Sequence, residues 1–495
     1  MICIPITETD PEKFLATILA AERVSDAIEL RLDYLTEEGL SQVLSQLRRR
    51  QISKPLIFTF RPAEQGGKRN LTLPERQNFW QMLPVEIIEA MAFADFEIDL
   101  AESFSTGAPI PWKKVICSWH SFEGTPENLF EIYQSLDRTQ AAVIKIATQA
   151  NRISDCLRLL DLLERKHSAK LTIVIGMGMA GMITRVLGLS RGAMLTFGAL
   201  KRGAESAGGQ PTFDELVNLY RVKQLTRESE IFGVIGKPIG HSRSPLMHNT
   251  ALKAADRNGV YLPFEVDDLD EFIHDFVRPA TRRIDWRLRG LSVTIPYKTA
   301  IIPYLDYLHP IAGCIGAVNT IVVEGEQLHG YNTDVNGAMK PLEQLIELKS
   351  ARVAVLGAGG SARAVCFGLK ERGALVSIHA RNLKKAQILA HEFAAEVRPI
   401  ESFDGHADLV INCTPIGMRG HSEGESPIKV EYLKDVKLVY DLVYNPEETA
   451  LLRGAEKAGC RTLGGLEMLT AQAAGQFHLW TGLEMNPKKT RNKRK

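Results

Sequence analysis

Eight short β-like runs alternate with helix-like segments over roughly the first 200 residues, and this alternation constrains the fold more than any other feature. The runs span residues 1–6, 27–34, 56–61, 93–100, 114–122, 141–148, 171–178 and 193–198. Segments between them, such as 10–24 and 153–167, repeat apolar residues at three- and four-residue spacing, as amphipathic helices do. Eight strands and their helices in this length predict a closed parallel (β/α)8 barrel rather than an open sheet.

The composition sets broad limits on the rest of the chain. Its 495 residues are too many for one hydrophobic core, so two or three domains are expected. With 45% hydrophobic residues, 24% charged residues and a net charge of +1, the chain is typical of a soluble globular protein. This balance gives no sign of a nucleic-acid or membrane partner, and no run approaches the roughly 20 apolar residues of a membrane helix.

The cysteines and the two ends of the chain indicate its compartment. The seven cysteines are odd in number, scattered and without CxxC spacing, which favours reduced thiols in a cytoplasmic protein and no metal site. The first ten residues resemble neither a signal peptide nor a transit peptide. Six of the last eight residues are basic, so residues 485–495 are expected to form a solvated, disordered tail.

Charged residues collect near the carboxyl ends of the predicted barrel strands, where barrel enzymes place their chemistry. They are Glu29, Arg31, Asp33, Arg61, His120 and Lys145. Lys145 lies in the apolar run 141–148, and a lysine in a buried strand is costly unless it is paired or deprotonated. It is therefore either the amine of a Schiff base or half of a structural ion pair with Glu29 or Asp33. His120 is either a hydrogen-bonded core residue or a base beside the imine.

Residues 1 to about 222 resemble the type I 3-dehydroquinate dehydratases. The matching stretches are IELRLDY, FTFRPAEQGG, SWHSF, VIKIA, MGMAGMITRVLG and FGALKRGAESAGGQ. The resemblance implies that Lys145 forms an imine with the substrate ketone and that His120 removes the adjacent proton and later protonates the departing hydroxyl. It also implies that Arg185 binds the substrate carboxylate. The side chains implied to hold ring hydroxyls and close the lid are Glu29, Arg31, Arg61, Ser206 and Gln210.

Two positions depart from the pattern of that family. Gln65 stands where these enzymes usually have a glutamate that orients the histidine. Glutamine accepts a hydrogen bond but cannot stabilise an imidazolium by charge, so we expect a slower dehydratase or one in which Glu64 has taken the role. Gly208 replaces a proline of the lid motif, which implies a looser lid.

A domain boundary is expected near residue 228. A fresh strand at Ile231 leads into a loop with Ser242 and Ser244, and Ser244 before Pro245 is predicted to cap a helix. Further strands are expected within 259–266, 288–295 and 316–323. Polar groups gather at their ends, and these are Thr294, Lys298, Asn319, Asn332 and Asp334.

Residues 351–389 read as strand, glycine-rich turn, helix and strand. Gly357, Gly359 and Ala362 form G-x-G-x-x-A, which lets backbone amides approach a pyrophosphate at the helix amino terminus. The pattern sits within a βαβ unit, so it predicts a Rossmann-like dinucleotide domain. The second strand is followed by Arg381, Lys384 and Lys385 with no acid, and these cations favour the 2′-phosphate of NADP.

Residues 231 to about 484 resemble shikimate dehydrogenase throughout. The motifs are GKPIGHSRSP, LSVTIPYK, IGAVNT, YNTD, GAGGSARA, NCTPIGM, DLVYNP and GGLEMLTAQAAGQF. The resemblance implies that Lys298 and Asp334 are a catalytic pair, which on the residues alone could be a surface salt bridge with Asp334 as a helix cap. Implied substrate ligands are Ser242, Ser244, Thr294, Asn319, Asp334 and Gln472. Implied NADP ligands are Gly357, Ala358, Gly359, Gly360, Ser361, Ala362, Arg381, Lys385, Asn412, Thr414, Tyr444 and Gly465.

These interpretations divide the chain into a barrel at 1–228, a substrate domain at 229–337, a Rossmann domain at 338–464 and a helix at 465–484 that returns to the substrate domain. The apolar stripe expected on that helix consists of Leu466, Leu469, Ala473, Phe477 and Trp480.

The predicted reactions convert 3-dehydroquinate to 3-dehydroshikimate and then, with NADPH, to shikimate. The partners are small-molecule substrates, and the sequence leaves the oligomeric state open. Two alternatives stay open at this point, namely a Schiff-base aldolase fused to another hydroxy-acid dehydrogenase, and a regulatory binding protein.

Overall fold

The computed structural model describes residues 1–165, 168–240, 242–420 and 422–485. The chain forms two compact units. The first contains Met1–Glu230, Asn258–Phe276 and Arg283–Arg287, and the second contains Ile231–Arg257, Val277–Arg282 and the chain from Leu288 onward. Most of the predicted tail, residues 486–495, lies outside the described residues. Among the described residues, no helix is both long enough and apolar enough to cross a membrane.

The first unit contains the predicted alternation of strands and helices. Its first strands are β1 (Ile2–Ile6), β2 (Ala27–Arg31), β3 (Leu56–Thr59), β4 (Phe93–Glu97), β5 (Val115–Ser121), β6 (Val143–Gln149), β7 (Leu171–Met177) and β8 (Thr196–Phe197). The helices among them are α1 (Pro11–Glu22), α2 (Glu37–Arg49), α3 (Leu73–Gln81), α4 (Val85–Ala90), α5 (Ile98–Ser103), α6 (Leu129–Arg138), α7 (Asp155–Glu164) and α8 (Met182–Leu187).

These eight strands form one parallel sheet in the order β7-β6-β5-β4-β3-β2-β1-β8. A backbone hydrogen bond from the Met194 N–H to the Thr172 carbonyl, 2.9 Å long, joins the segment before β8 to β7 and nearly closes the ring. All five residues of β2 are buried, so side chains on its inner face lie in the barrel interior. The predicted (β/α)8 barrel is confirmed.

The remaining elements belong to the rest of the chain. Its strands are β9 (Glu230–Gly236), β10 (Gly259–Glu265), β11 (Arg287–Val293), β12 (Tyr307–Leu308), β13 (Thr320–Glu324), β14 (Gln327–Tyr331), β15 (Arg352–Leu356), β16 (Leu375–Ala380), β17 (Glu396–Pro399), β18 (Leu409–Asn412), β19 (Leu438–Asp441) and β20 (Arg461–Gly464). Its helices are α9 (Ser244–Ala254), α10 (Leu269–Phe272), α11 (Pro310–Ile315), α12 (Asp334–Glu343), α13 (Gly360–Glu371), α14 (Leu383–Phe393), α15 (Ala450–Lys457) and α16 (Gly465–Thr481).

Two sheets organise the second unit. One contains β9, β11, β13, β14 and β12 in that order, and β13 runs antiparallel to both β11 and β14. The other is fully parallel with the order β17-β16-β15-β18-β19-β20. This is the doubly wound order in which a dinucleotide binds beyond the carboxyl end of the first strand, so the predicted Rossmann-like domain is confirmed.

Two local predictions were wrong. Ser244 does not cap α9, because it is the first residue of the helix, and the residue before the helix, Arg243, makes no side-chain capping bond. Instead Ser242 Oγ accepts the Ser244 N–H at 3.2 Å. The buried face of α16 is also shifted near its start, where Met468 is buried while Leu466 and Leu469 are only partly so.

The contact between β11 and α16 predicts a steric effect on stability. A methyl group at Gly290 would lie 2.1 Å from Nε1 of Trp480, whose N–H donates to the Ile321 carbonyl at 2.9 Å. We expect Gly290→Ala to lower the free energy of unfolding by about 1–3 kcal/mol, because a packed indole must move. Urea unfolding followed by tryptophan fluorescence measures the change. The control is Gly313→Ala, whose new methyl would approach no atom closer than 3.6 Å and should leave stability within about 0.5 kcal/mol.

Candidate active sites

Alternation along β2, β4, β5 and β6 turns a set of charged side chains into the barrel. Residues two apart on a strand share a face, and here the inner positions carry charge where an apolar core would be expected. The set is Glu29, Arg31, Asp95, Glu97, His120 and Lys145, all buried. Buried charges persist only when they are paired, so their contacts determine how the site works.

Lys145 lies in the middle of β6, not at its end, and its amine reaches the barrel interior. The residue is only 4% exposed. Its Nζ lies 2.7 Å from Asp95 Oδ2 and 3.4 Å from Glu29 Oε1, and 4.9 Å from the centre of the Phe197 ring. The expected ion pair with Glu29 is present, but Asp33 is not a partner and Asp95 is the nearer one.

Asp33 is instead paired with Arg31. Two hydrogen bonds of 2.9 Å join the guanidinium to the carboxylate in a bidentate pair. Arg31 also donates to the Gly66 carbonyl at 3.0 Å, and Asp33 accepts the Lys68 N–H at 3.1 Å. The pair therefore anchors the loop after β3 at the barrel mouth and keeps the Arg31 guanidinium in one orientation.

His120 contacts Arg61 through its ring. The Nε2 atom lies 2.5 Å from Arg61 Nη1, and Nδ1 has no hydrogen-bond partner in the described chain. Burial, then the positive charges of Arg61 and Lys145, hold the pKa of His120 well below its usual range. This lowered pKa favours the neutral imidazole, which retains a basic lone pair.

Gln65 contacts the backbone of the histidine rather than its ring. Its Oε1 accepts the His120 N–H at 3.2 Å. The alternative in which Glu64 takes the orienting role was wrong, because the Glu64 residue is exposed to solvent. No carboxylate at residue 64 or 65 therefore faces the imidazole.

Arg185 is a buried cation without a counter-charge. It is 1% exposed, its Nε has no hydrogen-bond partner, and no ion pair reaches it within the described residues. Burial lowers the pKa of Arg185 to about 10. An unpaired buried guanidinium is a favourable place for a carboxylate ligand, since the ligand supplies the missing charge.

The segment 206–210 lies over the end of β7. Gln210 Oε1 accepts from both the backbone N–H and the hydroxyl of Ser206, at 2.7 and 3.1 Å, while its buried Nε2 has no partner in the described chain. The Gly178 N–H donates to the Gly208 carbonyl at 2.9 Å and ties the segment to the strand end. A side chain at Gly208 would meet no atom within 4 Å, so space does not select glycine there.

A second polar cluster surrounds Lys298. Its Nζ lies 2.5 Å from Asp334 Oδ2, and Asp334 Oδ1 accepts from Asn319 Nδ2 at 2.8 Å. Asp334 is 3% exposed and is the first residue of α12, so neither a surface salt bridge nor a side-chain cap describes it. The structure brings the predicted pair and Asn319 into one cluster.

Helix α16 holds this cluster from the other side. Gln472 Oε1 lies 3.4 Å from Asn319 Nδ2. Gln476 donates to the Asn319 carbonyl at 2.8 Å and accepts from the Ser292 hydroxyl at 2.8 Å. These contacts join α16 to β11 and to the residue before β13, and Trp480 extends them along β13.

The glycine-rich turn after β15 and the start of α13 lie against the side chain of Lys298. Gly357 has a φ of 104°, a left-handed conformation that favours glycine, and a methyl group there would lie 3.0 Å from Thr414. Gly359 precedes α13 with no side-chain cap, so the first amides of this 12-residue helix are available to an anion. The Ser361 hydroxyl lies 3.4 Å from Lys298 Nζ.

The remaining predicted cofactor residues differ in what holds them. Arg381 and Lys385 are exposed at the end of β16, and Asn382 caps α14 by accepting the Lys385 N–H. Asn412 is fixed by Asp441 at 2.9 Å and itself accepts from Thr414. Of the other predicted ligands, Ala358 lies in the turn, Gly360 and Ala362 lie in α13, Tyr444 follows β19 and Gly465 begins α16. Burial raises the pKa of Tyr444, and a methyl on Gly465 would lie 2.2 Å from the Leu442 carbonyl oxygen.

The described hydrogen bonds of three predicted substrate residues are made outside the Lys298 cluster. Ser242 and Ser244 stand at the start of α9, and none of the described hydrogen bonds links them to Lys298 or Asp334. Thr294 follows β11, where its N–H donates to the Ile235 carbonyl at 3.0 Å.

Sequence reasoning missed Asp95, Glu97 and Arg76 in the barrel. The sequence could have identified the two acids, because they stand two residues apart in a buried strand, as Glu29 and Arg31 do. Arg76 is almost fully buried on α3 and contacts Glu97 at 3.0 Å, for which no sequence signal exists. Burial raises the pKa of Glu97 to about 7, and its two arginine neighbours oppose that rise.

Comparisons with known proteins match both halves. The model of type I 3-dehydroquinase matches residues 2–227, that of the shikimate dehydrogenase substrate binding domain matches 234–321, and that of the shikimate 5′-dehydrogenase C-terminal domain matches 465–493. The chloroplastic bifunctional 3-dehydroquinate dehydratase/shikimate dehydrogenase of Arabidopsis thaliana is 34% identical over 509 residues, which cover 98% of this chain and 82% of that protein.

Two further relatives match the second half alone. The NADP(+) shikimate dehydrogenase of Methanococcus aeolicus is 39% identical over 269 residues, covering 52% of this chain and 95% of that enzyme. A crystal structure of shikimate dehydrogenase in complex with NADP+ is 38% identical and gives a TM-score of 0.50, covering 54% of this chain and 94% of that one.

The contact of Gln65 predicts how a charge there would act. Gln65→Glu places a carboxylate beside His120, which favours the imidazolium, so the pKa of His120 should rise toward its ordinary value. NMR titration of histidine-labelled protein measures this shift. Glu64→Gln removes an exposed charge instead and should leave the His120 titration unchanged. A His120 that titrates identically in wild type and Gln65→Glu would contradict the prediction.

Proposed function

The chain belongs to the family of bifunctional 3-dehydroquinate dehydratases/shikimate dehydrogenases, and on that premise we propose which side chains carry each reaction. The barrel is a lyase that converts 3-dehydroquinate to 3-dehydroshikimate through a lysine Schiff base. The second half is an oxidoreductase that reduces 3-dehydroshikimate to shikimate with NADPH. The product of the first site is the substrate of the second. Because one polypeptide carries both sites, the two sites are present in equal numbers.

The observation that carries the dehydratase assignment is the Lys145 amine, buried in the barrel between two carboxylates and near a neutral histidine. Its nitrogen attacks the substrate ketone, and loss of water leaves an imine. The imine draws electrons from the adjacent carbon, so His120 can remove a proton there. The resulting imidazolium then protonates the departing hydroxyl, and water hydrolyses the imine to free the product and Lys145.

The substrate is held by charges around this pair. Arg185 has no counter-ion among the described residues and would bind the carboxylate. Arg31 is held in one orientation by Asp33 and offers donors to a ring hydroxyl. The other residues proposed to contact ring hydroxyls or close the lid are Glu29, Arg61, Ser206 and Gln210. The unsatisfied Nε2 of Gln210 supports a donor role for that amide.

The residues around the glycine-rich turn fit NADP. Open space at Gly359 and the uncapped amides at the start of α13 suit a pyrophosphate. Arg381 and Lys385 suit a 2′-phosphate, and no acid follows β16 to repel it. When bound, the dihydronicotinamide supplies a hydride to the substrate carbonyl. Backbone or side-chain contacts to the cofactor are also proposed for Gly357, Ala358, Gly360, Ser361, Ala362, Asn412, Thr414, Tyr444 and Gly465.

The chain's own part in reduction is to deliver a proton. Lys298 donates it from Nζ to the developing alkoxide, and Asp334 keeps that ammonium in place. Asn319 holds Asp334 in turn, and Gln472 holds Asn319. The substrate carboxylate and hydroxyls would bind Ser242, Ser244, Thr294, Asn319 and Gln472.

We also propose the domain boundaries given by the sequence, with a barrel at 1–228, a substrate domain at 229–337 joined by helix 465–484, and a Rossmann domain at 338–464. The start of β9 at Glu230 and of α16 at Gly465 support the first and last of these boundaries, whereas the one between 337 and 338 falls inside α12. A cytoplasmic location is proposed because all seven cysteines are free. The Arabidopsis relative is chloroplastic, so fractionation of the source cells decides this point.

A coupled assay tests the two activities together. Added 3-dehydroquinate and NADPH should give loss of nicotinamide absorbance and formation of shikimate. Borohydride with 3-dehydroquinate should attach the substrate to Lys145, and Lys145→Ala should abolish both the attachment and the dehydratase. In Lys145→Ala the reduction of 3-dehydroshikimate should stay within about twofold of wild type, since that site is intact. Lys298→Ala is the reciprocal control and should lower only the reductase, by about 10²–10⁴-fold. Attachment that persists without Lys145 would refute the assignment.

The cations after β16 should determine the preference for NADPH over NADH. Arg381→Glu together with Lys385→Glu would repel the 2′-phosphate, so kcat/KM with NADPH should fall at least about tenfold relative to NADH. Parallel titration of NADP+ by calorimetry should show the same loss in affinity. Lys457→Glu, at the end of α15, changes charge elsewhere on the same domain and should alter neither value. An unchanged preference would show that these cations do not contact the 2′-phosphate.

A further inference from the structure

The guanidinium of Arg61 is held on three sides inside the barrel. Its Nε donates to Glu97 Oε1 at 3.3 Å, and its Nη2 lies 2.8 Å from Asp95 Oδ1. The third nitrogen, Nη1, lies 2.5 Å from Nε2 of His120. Two nitrogens are thus anchored by carboxylates, and the third contacts the base of the dehydratase.

Glu97 is itself fixed from behind. It is 1% exposed, and its second oxygen accepts from Arg76 Nη1 at 3.0 Å. Arg76 is paired at its outer edge with Asp99, at 2.5 Å. A continuous line of contacts therefore runs from the protein surface through Arg76, Glu97 and Arg61 to the imidazole.

The contact at Nε2 determines where the proton of His120 lies. A guanidinium has donors and no acceptor, so Nε2 must present its lone pair to Arg61. A neutral imidazole has one N–H, which is then on Nδ1. The basic nitrogen of the resting site is consequently Nε2, covered by Arg61 Nη1. Gln65 cannot set this state, because it contacts only the backbone N–H of the histidine.

We propose that Glu97 is a positioning residue of the dehydratase, which anchors Arg61 so that Arg61 keeps His120 in the tautomer with a basic Nε2. Substrate completes the arrangement when a ring hydroxyl takes Nη1 and leaves Nε2 free to accept the carbon-bound proton. The proton moves to Nε2 and later to the departing hydroxyl, so no further reactant is needed. This inference rests on the proposed dehydratase and assigns it a residue that does not touch the reacting atoms.

Glu97→Gln tests the role, because glutamine retains the shape and an acceptor oxygen but loses the charge that holds Arg61. The dehydratase kcat should fall about tenfold, the effect of one charged hydrogen bond, while KM stays within twofold. Borohydride attachment of substrate to Lys145 should persist. The matched control is Asp99→Asn, which removes a charge from the same Arg76 without touching Arg61 and should leave kcat unchanged.

The tautomer provides a readout that does not depend on any variant folding. In wild type, ¹⁵N shifts of His120 should show a protonated Nδ1 and an unprotonated Nε2, and Glu97→Gln should show the two tautomers averaged. A wild-type proton on Nε2 would overturn the inference, and so would a Glu97→Gln enzyme with unchanged kcat. If Glu97→Gln lowered kcat, the borohydride attachment of substrate and the midpoint of thermal unfolding together, the role of Glu97 would be structural only. Absence of attachment in wild type would instead refute the proposed function itself.

Discussion

Charge pairing inside the barrel is the condition on which the first active site depends. Each ion moved out of water costs several kcal/mol, so a buried charge is stable only beside an opposite one. Asp95 meets this condition for two cations at once, since one oxygen contacts Arg61 and the other contacts Lys145. The same carboxylate therefore stabilises the fold and places the amine next to the histidine. Arg185 is the exception, because no side chain in the described part of the protein supplies its counter-charge.

The second site is held together by hydrogen bonds between residues that are distant in sequence, rather than by a network of buried ion pairs. Asn319 and Gln472 are 153 residues apart, yet their side chains lie 3.4 Å from each other. Asn319 holds Asp334, which holds Lys298, and the turn that precedes α13 lies against the same lysine. Three segments distant in sequence thus converge on one ammonium, at the junction of the substrate domain and the dinucleotide turn.

Particular residues show how far local patterns reach. Strand alternation was sufficient to place Lys145 and His120 inside the barrel, because period-two geometry is a property of a single strand. The same reasoning applied to β4 identifies Asp95 and Glu97. It cannot identify Arg76, which enters the interior from a helix whose pattern gives no sign of it. At α9 the capping preference of Ser244 was correct in general and wrong here, since the helix begins one residue earlier than the pattern indicated.

The sequence by itself determined the barrel, the dinucleotide fold, the two activities and the cofactor, because these follow from local periodicity, a glycine turn and dense motifs. Only the tertiary structure decided which acid pairs with Lys145 and what faces His120 where a glutamate is absent at residue 65. Glu29 and Lys145 are 116 residues apart, and their approach depends on the register and closure of the whole barrel. Electrostatic pairing acts over a few ångströms between strands, so no pattern along one strand can specify it.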